Sequence, residues 1–366
     1  MCRLWFLVVL KLNIRIWLAV RIFENDMEKD YIKRIIDDPS IRIISSRILD
    51  GERITLDEAI LLMKKAQTGL LGMLAAEVNK LRYTENRKHT VVHIALSKDC
   101  DYKCAACKYS EEQNPVDILD ISELNEVLKS TSIVDEIILS SAINRDVNLS
   151  YLTKMISKVR ELFPNIDIKG LRAIQLKELS LREKIDYSYV LASLKEAGLN
   201  SMLGGDALIF RPEMRTKMQD YNLTEKEWLS IHKQAHDLGL KSDATITYGH
   251  FESVEDRISH MEKLRNLQDQ TKGFNAFFPL KFRANTGMSK LIPSTSGLED
   301  MRVFAISRIF LDNIPNIDVF TVIGEDGWEE VFGFGGNQIT VADEVSDLFL
   351  PQYGNMAIVS PGDKRN

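Results

Sequence analysis

Cysteine is scarce: the chain has four in 366 residues, and three of them lie between positions 100 and 107. That excludes a disulfide scaffold, which spreads its cysteines along a short secreted chain. Three clustered thiols, with only Cys2 apart from them, read as a metal site in a reducing compartment, the cytoplasm. Positive charge is not in excess either. Lys and Arg number 47 against 53 Asp and Glu, a net charge of −6, so no cationic surplus displaces counterions from phosphates and no nucleic-acid partner is expected. Low-complexity segments and short-period repeats are lacking. A long unbroken apolar run is lacking too. Residues 1–23 come nearest, but Lys11 and Arg15 interrupt them, which makes a poor membrane span, and no small-residue cleavage site follows. An upstream extension ahead of a start at Met27, an interfacial helix, and a signal or anchor all fit this stretch. We read 1–26 as an extension and expect no membrane association.

What is present is an alternation. From 27 to about 85 the pattern is helical: Leu56, Ile60, Leu61 and Met63 recur on one face, as do Leu70, Leu71, Leu74 and Val78. Thr55 with Glu58 three residues on forms a capping box that opens one helix. Beyond this, β-rich apolar runs at 90–96, 136–139, 166–171, 201–203, 244–247, 276–280 and 319–323 alternate with helical patterns at 121–128, 152–162, 187–197, 225–238, 253–268 and 297–313. Such alternation implies parallel βαβ units. The predicted fold is α/β, a (β/α)8 TIM-like barrel, with a doubly wound open sheet as the alternative. The predicted organisation is the extension 1–26, an N-terminal helical lead-in 27–85, the barrel 86–335 and a tail 336–366. In such a barrel the chemistry sits in the loops at the C-terminal ends of the strands, and the cysteines follow directly after the first strand.

Cys100, Cys104 and Cys107 have the spacing C-x3-C-x2-C. Thiolates are soft ligands that suit iron–sulfur clusters, zinc or copper. Three cysteines on a four-iron cluster leave one iron open, whereas a closed structural zinc site takes four ligands. The nearest fourth candidate, His93, lies on the preceding strand. A zinc site and three unliganded thiols are the plainer alternatives. This spacing after a first barrel strand resembles the radical S-adenosylmethionine (SAM) superfamily.

The resemblance runs from about residue 49 to 335. The stretches ILDGERITLDEAILL (48–62), LKEAGLNSMLGGDALIFRPEMR (194–215), EWLSIHKQAHDLGLKSDATITYGHFES (227–253), LRNLQDQTKGFNAFFPLKF (264–282) and MRVFAISRIFLDNIPNI (301–317) resemble the radical SAM enzymes of the menaquinone (futalosine) pathway. Within that group His93-Ile94, Leu240-Lys241-Ser242 and Phe277-Phe278-Pro279-Leu280 are similar to the aminofutalosine synthases. The resemblance implies a [4Fe–4S] cluster on Cys100, Cys104 and Cys107 whose open iron is chelated by SAM, and an electron donor such as flavodoxin or ferredoxin. It implies a small-molecule substrate, 3-[(1-carboxyvinyl)oxy]benzoate, to whose enol-ether double bond the 5′-deoxyadenosyl radical adds, giving aminodeoxyfutalosine.

It also implies roles. His93 becomes an active-site candidate where a satisfied core histidine is the default. Gly204-Gly205 match the family's glycine run and would let SAM or substrate approach the backbone, a plain tight turn being the alternative, and Asp206 narrows the pocket where the family often has a third glycine. Ser140-Ser141 stand where the family carries glycines against the amino end of SAM, and Gln175 where it usually has a glutamate. Tyr109 supplies the aromatic surface near the adenine that Ala106, just before the last cysteine, does not. His250 and Glu252 are expected at the barrel mouth, steering protons or binding a carboxylate or ribose hydroxyl. A dianionic substrate calls for cationic partners, for which Arg283, Lys169 and Arg172 are the candidates. Arg257, Arg302 and Arg308 are read as solvated or structural, and His232 with His236, four apart on a helix, as a core or surface pair without the glutamate of a zinc motif.

Several positions depart from the family around one pocket: Ser140-Ser141, Gln175, Asp243 in place of an asparagine, and the run Arg283-Ala284-Asn285-Thr286 in place of one containing His-Pro. A second reading is therefore a paralogue with intact cluster chemistry and a different substrate. A third is a non-catalytic iron–sulfur protein, against which the intact cysteine triad speaks.

Overall fold

The computed structural model describes residues 30–32, 34, 36–83, 86–104, 107, 118–129, 131, 134–282, 295–322, 329–342 and 356–357; the expectations placed on 1–26, Ala106, Tyr109 and Arg283 lie outside the described residues. Eight parallel strands close a ring: β1 (Arg87–Ala95), β2 (Glu136–Ser140), β3 (Asp167–Gly170), β4 (Ser201–Met202), β5 (Lys241–Tyr248), β6 (Phe274–Phe282), β7 (Asn316–Val322) and β8 (Gln338–Ala342). The hydrogen-bonded order is β5-β4-β3-β2-β1-β8-β7-β6, and β5 pairs with β6 to complete the circle. A short β9 (Met356–Ala357) lies antiparallel on β6. The predicted (β/α)8 barrel is present, and the open sheet is not.

The barrel reaches past residue 335, where the expectation ended it. β8 pairs with β1 from Arg87↔Gln338 to Val91↔Ala342 and with β7 from Asp318↔Gln338 to Val322↔Ala342. The sequence conceals it because two of its five residues, Gln338 and Thr340, are polar and point inward.

The outer layer carries helices α4 (Ile121–Lys129) to α11 (Gly297–Phe310), preceded by α1 (Pro39–Leu49), α2 (Leu56–Lys65) and α3 (Thr68–Arg82). The capping box opening α2 is formed: Glu58 N donates to Thr55 Oγ1 at 3.3 Å and Thr55 N to Glu58 Oε2 at 2.8 Å. The lead-in packs directly on the barrel, α3 against α11 and α2 against α10 (Val254–Thr271). Arg302 pins it by donating to the carbonyls of Met63 and Ala66 at 2.5 and 2.7 Å. Fully buried Arg308 closes the last loop by donating to the carbonyls of Gly335, Ile314 and Pro315. Both arginines are structural. Among the described residues no helix is long and apolar enough to cross a membrane.

Strand alternation sorts the side chains into two cores. Val92, Ile94, Ile137, Leu139, Ile168, Ala244, Ile246, Phe277, Ile317 and Val319 face the helices. Val91, Ile138, Leu203, Ala276, Phe278, Leu280, Phe320 and Ala342 form a separate apolar layer inside the ring. Below that layer, toward the strand starts, the interior is charged. Lys169 Nζ lies 2.9 Å from Glu136 Oε2 and 2.7 Å from Asp243 Oδ2. Asp318 accepts from Gln338 Nε2 at 2.5 Å, Thr340 N at 3.0 Å and Thr340 Oγ1 at 2.8 Å.

Burial pushes the Asp318 carboxyl up to about 7. A carboxyl raised on folding contributes stability that is fully present below the ordinary carboxylate range and is lost as pH rises through the folded value. Asp318→Asn, which never ionises, is therefore expected to gain on the wild type as pH rises from 6 to 8.5. Thermal melts across that range measure the difference, and a constant gap between the two proteins would show that Asp318 does not titrate there.

Candidate active site

The three thiols sit where a barrel places its chemistry. β1 ends at Ala95, and the chain continues from the strand's C-terminal end into the loop carrying Cys100, Cys104 and Cys107. Backbone bonds hold that loop to its neighbours: Asp101 N donates to Ile143 O at 2.7 Å, Ala142 N to Ser97 O at 2.9 Å and Cys107 N to Cys104 O at 3.1 Å. On the other side Asp220 N donates to Cys104 Sγ at 3.3 Å, and Lys103 N to Asp220 Oδ2 at 2.9 Å. Tyr102 and Tyr221 meet edge-on at 5.7 Å between ring centres. Among the described residues no three His, Cys, Asp or Glu side chains are drawn together as a metal cage.

Burial pushes the Cys104 thiol up to about 12, and the nearby thiols of Cys107 and Cys100 add to it, while the bond from Asp220 N opposes it. Three thiols on one loop, with Cys104 buried, are soft donors whose chemistry fits an iron–sulfur cluster held on three corners, although the described side chains do not yet converge on one point.

Next to this loop, Ser140 ends β2 with its side chain on the inward side, two residues beyond Ile138 of the interior layer. It is 1% exposed and its hydroxyl finds no hydrogen-bond partner among the described residues. A buried hydroxyl with no protein partner is costly unless a ligand satisfies it. The carbonyl of Ser141 accepts from Gln175 Nε2 at 3.0 Å and from Arg172 Nη2 at 3.4 Å, and Gln175 Oε1 accepts from Arg172 N at 2.8 Å. Gln175 thus ties the β2 and β3 loops together. His93 faces the interior of the ring beside Ile138 and is 2% exposed.

Other predicted residues are placed differently. Lys169 is inside the ring below the apolar layer, between two carboxylates, and not at the mouth as a substrate ligand. Arg172 is at the mouth, but its Nη1 is bound to Asp206 Oδ1 at 2.6 Å. Gly204 answers a packing need: a Cβ there would come within 2.4 Å of the Asp243 carbonyl oxygen. At Gly205 a Cβ would meet Arg172 Cδ at 2.9 Å, and the Gly205 carbonyl accepts from Trp228 Nε1 at 2.9 Å.

His250 and Glu252 are brought together, yet they face the protein. His250 Nε2 donates to Thr247 O at 3.0 Å and Nδ1 accepts from Phe251 N at 2.8 Å, so both ring nitrogens serve the backbone of their own loop. Burial holds this imidazole below the usual histidine range, with Glu252 opposing. Glu252 accepts from Gly249 N, His250 N and Arg257 Nε at 2.6, 2.8 and 2.8 Å. Both side chains are 1% exposed. Their arrangement shapes the β5 loop. His232 and His236 converge on the hydroxyl of Ser242 at 2.9 and 2.7 Å, a core pair. Sequence reasoning missed the segment 219–221 that clasps the cysteine loop, since nothing in its composition marks a long-range contact.

Comparison with known proteins accords with this geometry. No family model matches the chain. Among curated proteins, the aminodeoxyfutalosine synthase of Thermus thermophilus is 31% identical over 296 residues, covering 78% of this chain and 79% of the relative. The cyclic dehypoxanthine futalosine synthase of Halalkalibacterium halodurans is 29% identical over 322 residues, 86% and 82% of the two chains. The 5-amino-6-(D-ribitylamino)uracil–L-tyrosine 4-hydroxyphenyl transferase of Methanospirillum hungatei is 29% identical over 306 residues, 79% of each. Among solved structures, methylornithine synthase shares the fold at a TM-score of 0.65 and 15% identity, covering 88% of this chain and 90% of its own. With three thiols on the first loop of a closed parallel barrel and a relative 31% identical across most of both chains, the chain is a radical SAM enzyme and belongs to the family of aminodeoxyfutalosine synthase and its futalosine-pathway relatives.

Proposed function

We propose that the chain adds the 5′-deoxyadenosyl group of SAM to 3-[(1-carboxyvinyl)oxy]benzoate to form aminodeoxyfutalosine, with methionine leaving from SAM and, after rearrangement and uptake of water, the enol-ether carboxylate leaving as bicarbonate. The observation that carries this reading is the three-thiol loop at the C-terminal mouth of the ring, beside a buried Ser140 hydroxyl that no described residue satisfies. When bound, a [4Fe–4S] cluster supplies the electron that splits SAM into methionine and the adenosyl radical. The protein's part is to hold and to exclude. Cys100, Cys104 and Cys107 would hold three irons. Ser140 would bond the end of SAM that faces β2, with the Ser141 carbonyl kept in place by Gln175 and Arg172. Ile138, Leu203, Phe278, Leu280 and Phe320 form an apolar wall under the mouth that keeps water from a reactive carbon radical. His93, on the same inner face, is the titratable group nearest that wall on β1.

One observation favours a different substrate on the same machinery. Two cations expected to meet the carboxylates of a dianionic substrate are engaged, Lys169 with Glu136 and Asp243 and Arg172 with Asp206.

The test is direct. The full chain is reconstituted with iron and sulfide without oxygen, reduced, and given SAM and the enol-ether benzoate, and mass spectrometry follows the adenosyl group. Aminodeoxyfutalosine is the expected product. Free 5′-deoxyadenosine alone would transfer the assignment to another substrate, and intact SAM over a full cluster would overturn the enzymatic reading.

A further inference from the structure

Asp206 follows Gly204-Gly205 in the β4 loop with φ +67°, the left-handed region that suits glycine better than aspartate. Side-chain bonds hold it there, and they lead in two directions. Toward β3, Oδ1 accepts from Arg172 Nη1 at 2.6 Å and Oδ2 from Ile174 N at 3.2 Å, at the start of α6 (Ala173–Glu183). Toward the cysteine loop, Oδ1 accepts from the Tyr221 hydroxyl at 2.9 Å. Gln219 Nε2 completes that arm by donating to the Tyr221 oxygen at 2.8 Å and to the Asp206 carbonyl at 3.0 Å. The segment so fixed is the one whose Asp220 N bonds Cys104 Sγ and whose Tyr221 ring meets Tyr102. Arg172 in turn reaches the Ser141 carbonyl at 3.4 Å, beside Ser140, whose hydroxyl meets no partner among the described residues.

One carboxylate therefore joins the loop that carries the thiols to the strand ends that face them. We propose that Asp206 is a positioning residue that sets the cysteine loop against the Ser140-Ser141 wall, and so places SAM on the open iron. Its charge matters because the guanidinium of Arg172, once released, would be free to swing from Ser141 toward any carboxylate in the mouth. The inference rests on the assignment of the three thiols to a cluster that binds SAM.

The experiment uses the full reconstituted chain. Asp206→Gly suits the backbone angle, and Asp206→Asn keeps the shape without the charge. Iron content, melting temperature, the electron paramagnetic resonance of the reduced cluster with and without SAM, and the KM for SAM against kcat are read for each. Both variants are expected to hold wild-type iron, to lose the SAM-induced change in the resonance signal, and to raise the KM for SAM by about 10- to 100-fold, as loss of a supporting bond behind a metal site does. Tyr221→Phe, which leaves the Asp206–Arg172 pair in place, is expected to fall between them and the wild type. Unchanged SAM binding and spectrum in Asp206→Gly would overturn the proposal. So would loss of iron in step with melting temperature, which would make Asp206 a folding residue only. A wild type that holds no cluster would remove the thiol assignment, a failure visible before any variant is made.

Discussion

Cys104→Ala is expected to lower bound iron and to reduce SAM cleavage by at least about a hundredfold, the scale of losing a metal-site contact outright. Cys104 is the buried member of the three thiols, and its sulfur accepts a bond from Asp220 N. Burial is the largest cause of its raised value of about 12, and the thiols of Cys107 and Cys100 raise it further. At neutral pH, without a cation, it is therefore a thiol and not a thiolate. Iron must displace that proton, so cluster assembly releases protons and should weaken as pH falls. Iron analysis and visible absorbance after reconstitution at pH 6.5 and 8.5 measure this, with 5′-deoxyadenosine release as the activity readout. Cys2→Ala is the control and should match the wild type. Full iron and undiminished SAM cleavage in Cys104→Ala would remove Cys104 from the ligand set.

Lys169→Met is expected to destabilise the protein by about 3–5 kcal/mol, the cost of leaving buried charges without their partner. Burial opposes the charge on Lys169, but Asp243 and Glu136 outweigh it and hold the ammonium above the usual lysine range. The two carboxylates share that cation unequally. Burial tends to raise Glu136, but Lys169 and His89 bring it below its ordinary range, while burial keeps Asp243 above it despite Lys169. Removing the ammonium leaves both inside the ring, 5% and 3% exposed. Because melting entropy grows with chain length, the loss corresponds to roughly 4–7 °C for a chain of this size. The triple variant Lys169→Met, Glu136→Gln, Asp243→Asn carries no unpaired charge and should recover most of the stability. Equal losses in the single and triple variants would mean that packing, and not charge, sets the cost.

The sequence made the ring largely legible because apolar runs of strand length alternate with amphipathic helices, and seven of the eight strands fall on predicted runs. β8 escaped because its inward residues Gln338 and Thr340 serve the polar floor around Asp318. α6 escaped because Gln175 and Lys177 are buried on it, which breaks the apolar stripe. At the site, the cysteine spacing alone located the mouth. Ser140 was legible as a departure from the family. The polar residues Lys169, His250 and Glu252 are bound by partners from other strands, by their own loop's backbone or, for Glu252, by Arg257 of the next helix. Such bonds leave no trace in spacing. The same holds for Asp206: its place after two glycines was visible, but the partners that give it meaning are Arg172 and Tyr221, 34 and 15 residues away.

The strand that carries the thiols is also the seam of the ring. β1 bonds to β2 on one side, but its other side is completed only by β8, near the far end of the described chain. At the usual pace of synthesis the intervening residues take roughly 10–50 s to emerge. For that interval the cysteine loop rides on an open sheet whose free edge is β1 itself. A chain cut after Gly335 would stay in that condition, presenting β1 and β7 as unpaired edges able to zip onto a second copy. The few residues from Gln338 to Ala342 thus guard the thiol-bearing strand against aggregation.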